Sequence, residues 1–243
     1  MSVTGVVAAL EFEARSLGDP GDGSLISVSG IGAANAARSA RALVAAGAGA
    51  LLSWGVAGAL DPALACGAAV LPAEVLREPG ELGGATLQRF ETCRGWRERL
   101  LAALQGQARV VSGTLLTSAA MVTTAARKAS LFHHTMAVAV DMESAAVAEV
   151  AAEHGLPFIA LRVVLDTARD SLPGSVVRAF GAQAAAPRWR RPAWPLLWPL
   201  LITPAEWGPV LRLAARYRVA RHALVDCSRL GRPTLAVDAR GGG

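Results

Sequence analysis

The chain has 243 residues, of which 53% are hydrophobic and 18% are charged, so it has ample apolar side chains for a large folded core and is not expected to be disordered. Of its 24 lysine and arginine residues only Lys128 is a lysine, and the formal net charge is +5. No apolar run reaches the roughly 18 residues that a membrane-spanning helix requires, and Glu11 and Glu13 interrupt any signal-peptide core. We therefore expect a cytoplasmic protein.

Apolar strand-like runs alternate with helical segments along most of the chain. In chain order, the expected strands are Val3–Leu10, 24–29, Ala50–Leu60, Gly67–Leu76, 108–118, 136–140 and Pro157–Asp166. The expected helices are 33–47, the second part of Leu87–Leu104, Ala119–Ser130 and Ser144–His154. Continuous apolar strands alternating with helices of this length predict an α/β fold with a parallel or mixed central sheet.

Polar residues lie at the ends of these strands. Ligands of such sheets bind at the carboxyl ends of the strands, so these residues form the pool from which a site would be built. They are Glu11, Glu13, Ser53, Thr117, Ser118, Asp141, Glu143 and Asp166. Carboxylates are costly to bury at such positions unless they are paired or bind a ligand.

Asp166 ends an apolar strand, and Arg162 precedes it in the same strand at a spacing that regular alternation would direct to one face. A helix or turn cap explains Asp166 equally well, and an acid in the first turn of a helix explains Glu143. Together, however, Glu13, Glu143, Arg162 and Asp166 favour a site for a polar ligand over four separate caps.

The segment "GIGAANAA" (residues 30–37) places two glycines before a helix, as phosphate-binding loops do. It lacks the third glycine of a dinucleotide-binding loop and the Gly-Lys-Ser/Thr of a P-loop. A tight turn between a strand and a helix explains it as well, so both interpretations stay open.

The C-terminal part of the chain differs in composition. Residues 187–222 contain seven arginines, with Glu206 as the only acid. The stretch "RWRRPAWPLLWPLL" mixes arginine with tryptophan and leucine, which favours a membrane surface over a nucleic acid. Burial against the core or in a subunit interface explains it equally well. We predict one domain over 1–170 and an extension over 171–243, with an amphipathic helix at Pro209–Leu224.

Four segments, "VVAALEFEA", "SGIGAANAA", "GVAGALDPAL" and "AVDMESAAVAEVAAEHGLPFIALRVVLDTA", are similar, in this order, to those of the superfamily of purine nucleoside phosphorylases and methylthioadenosine/S-adenosylhomocysteine nucleosidases. The resemblance covers about residues 1–170, and its most specific part is the Asp-Met-Glu-Ser-Ala-Ala block followed by Arg162 and Asp166. It implies a three-layer fold with helices flanking a mixed central sheet, and an enzyme that cleaves the N-glycosidic bond of nucleosides.

The resemblance also implies roles for individual residues. Asp166 resembles the acid that gives a proton to purine N7 as an oxocarbenium-like state develops. Glu143 resembles the acid that accepts hydrogen bonds from the ribose hydroxyls, whereas Asp141 is expected to be structural. Glu13 resembles the acid that activates the attacking water, with Arg162 beside it. The positions implied to contact the substrate are Met142, Glu143, Ala120, Met121, Val122, Val56, Ala57 and Gly58.

Several positions depart from the family pattern. Ser53 and Val56 replace the arginine and the hydroxyl residue that hold phosphate in the phosphorylases, and "LEFEAR" replaces their N-terminal phosphate loop. A dianion needs charged donors, and only Arg15 and Arg162 remain nearby. The departures therefore favour water as the nucleophile, with inorganic phosphate as the open alternative. Leu165 replaces the serine that usually precedes the catalytic aspartate, which leaves the orientation of that aspartate unexplained.

The C-terminal segment is similar to the extension of the hopanoid-associated phosphorylases, whose proposed substrate is adenosylhopane. This implies adenine release from an adenosine with a large hydrophobic 5′ group, at the inner face of a membrane. A soluble methylthioadenosine-type nucleosidase and, because of Val56 and Leu165, a non-catalytic nucleoside-binding protein are the alternatives. The resemblance further implies a homodimer, no cofactor and no metal. The three cysteines lack a metal-ligand spacing and are expected to be free thiols.

Overall fold

The computed structural model describes residues 3–19, 23–79, 86–106, 109–178 and 207–235. The ten strands in these ranges are β1 (Thr4–Ala8), β2 (Leu25–Val28), β3 (Ala50–Ala59), β4 (Ala69–Val70), β5 (Glu74–Arg77), β6 (Gln88–Glu91), β7 (Val110–Val111), β8 (Thr114–Thr117), β9 (Ala139–Asp141) and β10 (Phe158–Asp166). The main helices are α1 (Glu11–Ser16), α2 (Ala33–Ala45), α3 (Arg94–Leu104), α4 (Ala125–Thr135), α5 (Ser144–Glu153) and α6 (Trp207–Leu235). The tryptophan-rich stretch 188–201 lies outside the described residues, so its role stays a prediction.

The strands form one mixed sheet. Their order is β6-β5-β8-β9-β3-β10-β4-β7, with β1 beside the first half of β3 and β2 outside β1. Strands β1, β2, β3 and β10 run parallel, whereas β9 is antiparallel to β3 and β4 is antiparallel to β10. Helices α2 and α5 cover one face, and α1, α3 and α6 cover the other. The predicted α/β fold, a mixed sheet flanked by helices, is therefore confirmed.

Two expected strands are each divided in two. Within Gly67–Leu76, Pro72 has no amide hydrogen for a ladder bond, and it lies between β4 and β5. Within 108–118, Gly113 separates β7 from β8 and packs closely, since a Cβ there would come within 2.9 Å of Val138. The two parts of 108–118 pair with different strands: β7 pairs with β4, and β8 pairs with β5 and β9.

Two helices differ from expectation. The helix expected to begin at Ala119 begins at Ala125, because the Thr124 side chain caps it by accepting the N–H of Arg127 at 3.2 Å. Helix α1 was not expected, since six residues are too few to show a helical period. Glu13, expected at the end of a strand, therefore lies on a helix.

Strand β3 changes its neighbour part of the way along. Ala50–Trp54 pair with β1, and Gly58 and Ala59 pair with β9 on the same side. Strand β10 pairs with β3 along the opposite side. Among the strands that the structure describes, none pairs with residues 55–57 along the edge of β3 that β1 and β9 occupy. This gap opens the sheet where β1 ends, and the candidate site forms there.

Helix α6 has one buried and one exposed face. Ala220 and Leu224 join the core beside β10 and α3, and a Cβ at Gly231 would come within 2.6 Å of a methyl group of Leu100. The helix expected over Pro209–Leu224 is thus present and is longer than expected at both ends. No helix in the described ranges is long and apolar enough to cross a bilayer.

We predict that Leu224→Ala lowers the free energy of unfolding by about 2–5 kcal/mol, because the fully buried side chain would leave a cavity. The matched control is Leu211→Ala on the same helix, whose side chain is 69% exposed. It should change the free energy of unfolding by less than about 0.5 kcal/mol. Urea unfolding of both variants measures the difference, and equally small effects would contradict the packing of α6 into the core.

Candidate active site

The side chain of Arg162 lies buried among acidic and hydroxyl side chains. Its Nη2 atom is 2.8 Å from Asp141 Oδ2 and 3.9 Å from Glu143 Oε2. The same nitrogen donates to the hydroxyl oxygens of Ser53 at 2.7 Å and Ser144 at 3.0 Å. Although burial lowers the pKa of Arg162, the surrounding carboxylates raise it above its ordinary value. The guanidinium is therefore charged and is held from several directions.

Asp141 is occupied by internal contacts. Besides the ion pair with Arg162, its carboxylate accepts the Thr117 hydroxyl at 2.7 Å and the Ser144 amide at 3.2 Å. Thr117 and Asp141 are register partners in the parallel strands β8 and β9. This geometry agrees with the structural role expected for Asp141.

Glu13 binds two backbone amides beside Arg162. Its Oε1 accepts the N–H of Val56 at 2.9 Å and its Oε2 that of Leu10 at 2.8 Å. The Val56 amide lies in the gap along β3, so the carboxylate takes the place of a strand neighbour. Gly55 permits this approach, because a Cβ there would overlap both the Glu13 carboxylate and the Arg162 guanidinium. Burial raises the pKa of Glu13, and Arg162 and the amides offset this only in part.

Glu143 lies where β9 turns into α5. Its Oε1 accepts the N–H of Gly32 at 2.8 Å, and its Oε2 accepts that of Met142 at 3.3 Å. Burial raises the pKa of Glu143 to about 7, with Arg162 opposing the shift and Asp141 adding to it. This carboxyl therefore exchanges a proton near neutral pH.

The glycine turn before α2 supports Glu143. Gly30 and Gly32 have φ angles of 85° and 99°, in the left-handed region that glycine tolerates without steric cost. The Gly32 amide is bound by the Glu143 carboxyl group. The segment "GIGAANAA" therefore forms the tight turn that was one of its two interpretations. The amide at this turn, that of Gly32, is bound by a carboxyl group of the same chain.

Asp166 lies apart from these three acids and forms a buried ion pair with Lys128 of helix α4. The Lys128 Nζ atom donates to Asp166 Oδ2 and, at 2.7 Å, to the carbonyl oxygen of Thr167. Lys128 is fully buried, and Asp166 is 6% exposed. Burial raises the pKa of Asp166 above its ordinary value, and Lys128 opposes that shift.

Arg216 of helix α6 pairs with Asp170, in the loop that follows β10. Asp170 also accepts the amide of Thr167 at 2.8 Å and its hydroxyl at 2.5 Å. Since Thr167 adjoins Asp166 in the chain, these contacts connect helix α6 to the backbone that carries Asp166.

Residues 55–58 of β3 lie between the acids around Arg162 and the separate acid Asp166. Gly55 adjoins Glu13 and Arg162, whereas a Cβ at Gly58 would come within 3.2 Å of Asp166 Oδ2. Val56 and Gly58 are partly exposed, so this segment reaches the surface. The side chain of Ala57 instead packs in the apolar core.

The structure thus brings Glu13, Glu143 and Arg162 into one cluster and gives Asp166 separate partners. The register between β3 and β10 shifts between Val164 and Asp166. The regular alternation that would direct Arg162 and Asp166 to one face therefore does not hold across this point.

Residues 120–122 line a cavity of about 340 Å³. Its other walls include Glu78, which accepts the Ser118 hydroxyl at 2.6 Å and pairs with Arg127. Another groove, of about 350 Å³, lies between β6, α5 and the amino end of β10, at the opposite end of β10 from Asp166.

Sequence reasoning did not find Lys128 or Ser144. Lys128 carries a signal, because it is the only lysine among 24 basic residues. Ser144 carries none, since serine is ordinary at the start of a helix. Among the described residues, no group of three or more His, Cys, Asp or Glu side chains is arranged to hold a metal ion. The three cysteines are free thiols, as expected.

A sequence model of the family described as Phosphorylase superfamily matches residues 10–187. The fold is similar to that of the 5′-methylthioadenosine/S-adenosylhomocysteine nucleosidase of Neisseria meningitidis in complex with methylthio-immucillin-A. The TM-score is 0.71, and the two sequences are 18% identical over 96% of this chain and 100% of that one. The corresponding nucleosidase of Helicobacter pylori, with butyl-thio-DADMe-Immucillin-A, gives a TM-score of 0.69 and 16% identity over 96% and 97% of the two chains. Futalosine hydrolase of Helicobacter pylori gives a TM-score of 0.63 and 20% identity over 75% of this chain and 91% of that one. At these identities the likeness establishes the fold.

We predict that Glu143 makes the stability of the folded chain decrease as the pH rises. Its pKa is raised from 4.5 to about 7, so the stabilisation is fully present below pH 4.5 and is lost as the pH rises through 7. Glu143→Gln keeps an acceptor for Gly32 but cannot titrate. The free energy of unfolding of the variant, relative to the wild type, should therefore rise by about 1–3 kcal/mol between about pH 5 and about pH 8.

Urea unfolding across this pH range measures the effect. Glu149→Gln is the matched control, because the hydrogen bond from Arg77 lowers the pKa of Glu149 and keeps it ionised throughout. Its stability relative to the wild type should stay constant. A constant difference for Glu143→Gln as well would contradict the raised pKa.

Proposed function

The chain belongs to the phosphorylase superfamily, and on this premise we propose that it is an enzyme that cleaves the N-glycosidic bond of an adenosine-type nucleoside and releases adenine. The observation that carries the proposal is the placement of three buried acids: Glu13 and Asp166 lie against the partly exposed segment 55–58, and Glu143 lies beside the Arg162 side chain that adjoins this segment. The pKa of each acid is raised. Carboxyl groups with raised pKa values can exchange protons with a substrate near neutral pH.

In the proposed reaction Asp166 gives a proton to purine N7 as the bond between C1′ and N9 breaks. Glu143 binds the ribose hydroxyls, and Met142 packs against the sugar. Residues 120–122 line the cavity that takes the base, and Val56–Gly58 border the sugar. Burial supports the role of Asp166, because it favours the protonated carboxyl that a general acid requires.

Water is the proposed nucleophile, and Glu13 activates it. Arg162 is already surrounded by three carboxyl groups, Glu13, Asp141 and Glu143, and it binds two serine hydroxyls. A phosphate dianion in this place would meet an excess of negative charge. Arg15, the other candidate donor, has a side chain that is 80% exposed.

We further propose that the 5′ group of the substrate is large and apolar, as in adenosylhopane, and that the enzyme acts at a membrane surface. The exposed face of helix α6 supports this proposal. Trp207, Leu211 and Val219 are between 49% and 69% exposed, and they share this part of the helix with arginines and with no acid before Asp226. Aromatic and aliphatic side chains beside arginine suit an anionic lipid surface. A homodimer also remains a proposal.

A soluble nucleosidase of 5′-methylthioadenosine or S-adenosylhomocysteine is the second candidate. It is favoured by the likeness of the fold to two such nucleosidases over 96% of this chain. The same three acids would serve a substrate with a small thioether group. The two candidates differ in the 5′ group and in the use of a membrane surface.

We predict that the protein releases adenine from adenosine-type nucleosides without added phosphate. Release is measured by chromatography for substrates with 5′ groups of increasing hydrophobicity, each with and without phosphate. A preference for a long apolar 5′ group supports the first candidate, and a preference for 5′-methylthioadenosine supports the second. Release that requires phosphate would contradict water as the nucleophile. Nucleoside binding without release would identify a non-catalytic binding protein.

In the same assay Asp166→Asn should slow release by about 10²-fold or more, the usual scale for losing a general acid. Asp226→Asn, at an exposed aspartate on α6, is the matched control and should leave the rate unchanged. Equal rates for the two variants would remove Asp166 from the reaction.

We predict that the chain floats with vesicles of phosphatidylcholine and phosphatidylglycerol more strongly than with phosphatidylcholine alone. Replacing Trp207, Leu211 and Val219 together by serine should lower the bound fraction severalfold, because it removes the exposed apolar groups of α6. Replacing the exposed Ala214 and Ala215 by serine is the control. Equal flotation of both variants and the wild type would count against a membrane-facing helix.

A further inference from the structure

Lys128 is a buried charge that the proposed reaction does not yet use. It is the only lysine of the chain and is fully buried. Its Nζ atom donates to the carboxyl group of Asp166 and to the carbonyl oxygen of Thr167. Burying an ammonium group is costly, so such a lysine needs a partner and is seldom present without a role.

Lysine and arginine differ in how they bind an acid. An ammonium group is a compact charge with three donors, whereas a guanidinium group is a planar fork that suits both oxygens of a carboxylate. The ammonium group of Lys128 donates to one oxygen of Asp166, Oδ2, and to the carbonyl oxygen of Thr167. The chain uses arginine at every other basic position, so the single lysine against Asp166 points to a need for this compact contact.

We propose that Lys128 is a positioning residue that orients Asp166 and stabilises the carboxylate that Asp166 becomes when it gives its proton to the departing base. This role rests on the proposed cleavage of an N-glycosidic bond. As the C1′–N9 bond breaks, its electron pair enters the purine, and N7 takes the proton of the Asp166 carboxyl group. The positive charge of Lys128 then stabilises the carboxylate left on Asp166. Glu13 takes the proton that the attacking water releases, and after adenine leaves Asp166 regains a proton from solvent.

The proposal accounts for the departure at Leu165. Leu165 has no polar group with which to orient the neighbouring acid, and its side chain packs against the apolar core. In this chain the hydrogen bond comes instead from α4, through the Nζ atom of Lys128. The Thr167 carbonyl fixes the same nitrogen from the other direction.

Other charged groups also face Asp166. Lys128 from α4 and Arg216 from α6 lower its pKa, and Asp170, in the loop after β10, raises it. Cys66, between β3 and β4, also faces this carboxyl group. Lys128 has the larger effect of the two cations, so its removal raises the pKa of Asp166 further and leaves Arg216 as the nearby cation.

The test compares the pH dependence of kcat/KM for adenine release in the wild type, Lys128→Met and Lys128→Arg. At about pH 5 we expect Lys128→Met to be slower than the wild type by about tenfold or more, because the carboxylate that forms on Asp166 has lost its nearest positive charge. The difference should shrink as the pH rises, because the removal of Lys128 raises the pKa of Asp166 and keeps its carboxyl group protonated to a higher pH. Lys128→Arg keeps a positive charge and should be faster than Lys128→Met at about pH 5.

Two controls separate this role from a purely structural one. Thermal unfolding checks that each variant folds, and Arg229→Met, at an exposed cation of α6, should behave like the wild type. In the Asp166→Asn background, Lys128→Met should cause no further loss, because a residue that acts only through Asp166 has nothing left to act on. A further independent loss would overturn the proposal.

A spectroscopic measurement tests the pair without relying on activity. Because the chain has one lysine, labelling lysine with ¹³C at Cε gives a single side-chain signal. This signal should move in Asp166→Asn, and an unmoved signal would show that the two side chains are not paired in solution. A pH-independent loss in folded Lys128→Met, or a rate of folded Lys128→Arg at about pH 5 no higher than that of Lys128→Met, would also overturn the proposal. No adenine release by the wild type from any substrate would remove the proposed function, and this role with it.

Discussion

The buried guanidinium of Arg162 is the constraint on which the rest of the site depends. A charge in the interior must be paired, and this one gathers Asp141 from β9, Glu143 from the start of α5 and Glu13 from α1. One cation cannot compensate three buried acids, so burial dominates and the pKa values of Glu13 and Glu143 rise. The same imbalance disfavours a further anion. The raised pKa values follow from this unequal number of charges, and on the same ground we propose water as the nucleophile.

The backbone makes room for this cluster where β3 changes its neighbour from β1 to β9. The Val56 amide is left without a strand partner there, and the carboxylate of Glu13 binds it. Helix α1 is held in place for this contact by the Trp54 indole, which donates to the Ser16 hydroxyl at 2.9 Å. Gly55 leaves the space that both charged groups fill. The gap, the short helix and the acid therefore depend on one another.

Asp166 has a different electrostatic environment, formed by helix α4 from the middle of the chain and helix α6 from its C-terminal part. Lys128 of α4 contacts it directly, and Arg216 of α6 binds the loop that follows it through Asp170. Helix α6 also buries Leu224 in the core and exposes a basic and apolar face. Helix α6 therefore carries the face that we propose to contact lipid and also binds, through Arg216, the loop that follows Asp166, the proposed general acid.

The sequence by itself determined the elements with strong periodic signals, since β3, α5 and β10 were expected to within one residue of each end. It also singled out Glu13, Glu143, Arg162 and Asp166, because acids and arginine are unusual at the ends of apolar strands. It did not show which groups would pair. Asp166 binds a lysine 38 residues away, and Glu143 binds an amide 111 residues away. Only the tertiary structure decided these partners, and with them the protonation of each acid, because the pKa of a buried group is set by its neighbours in space.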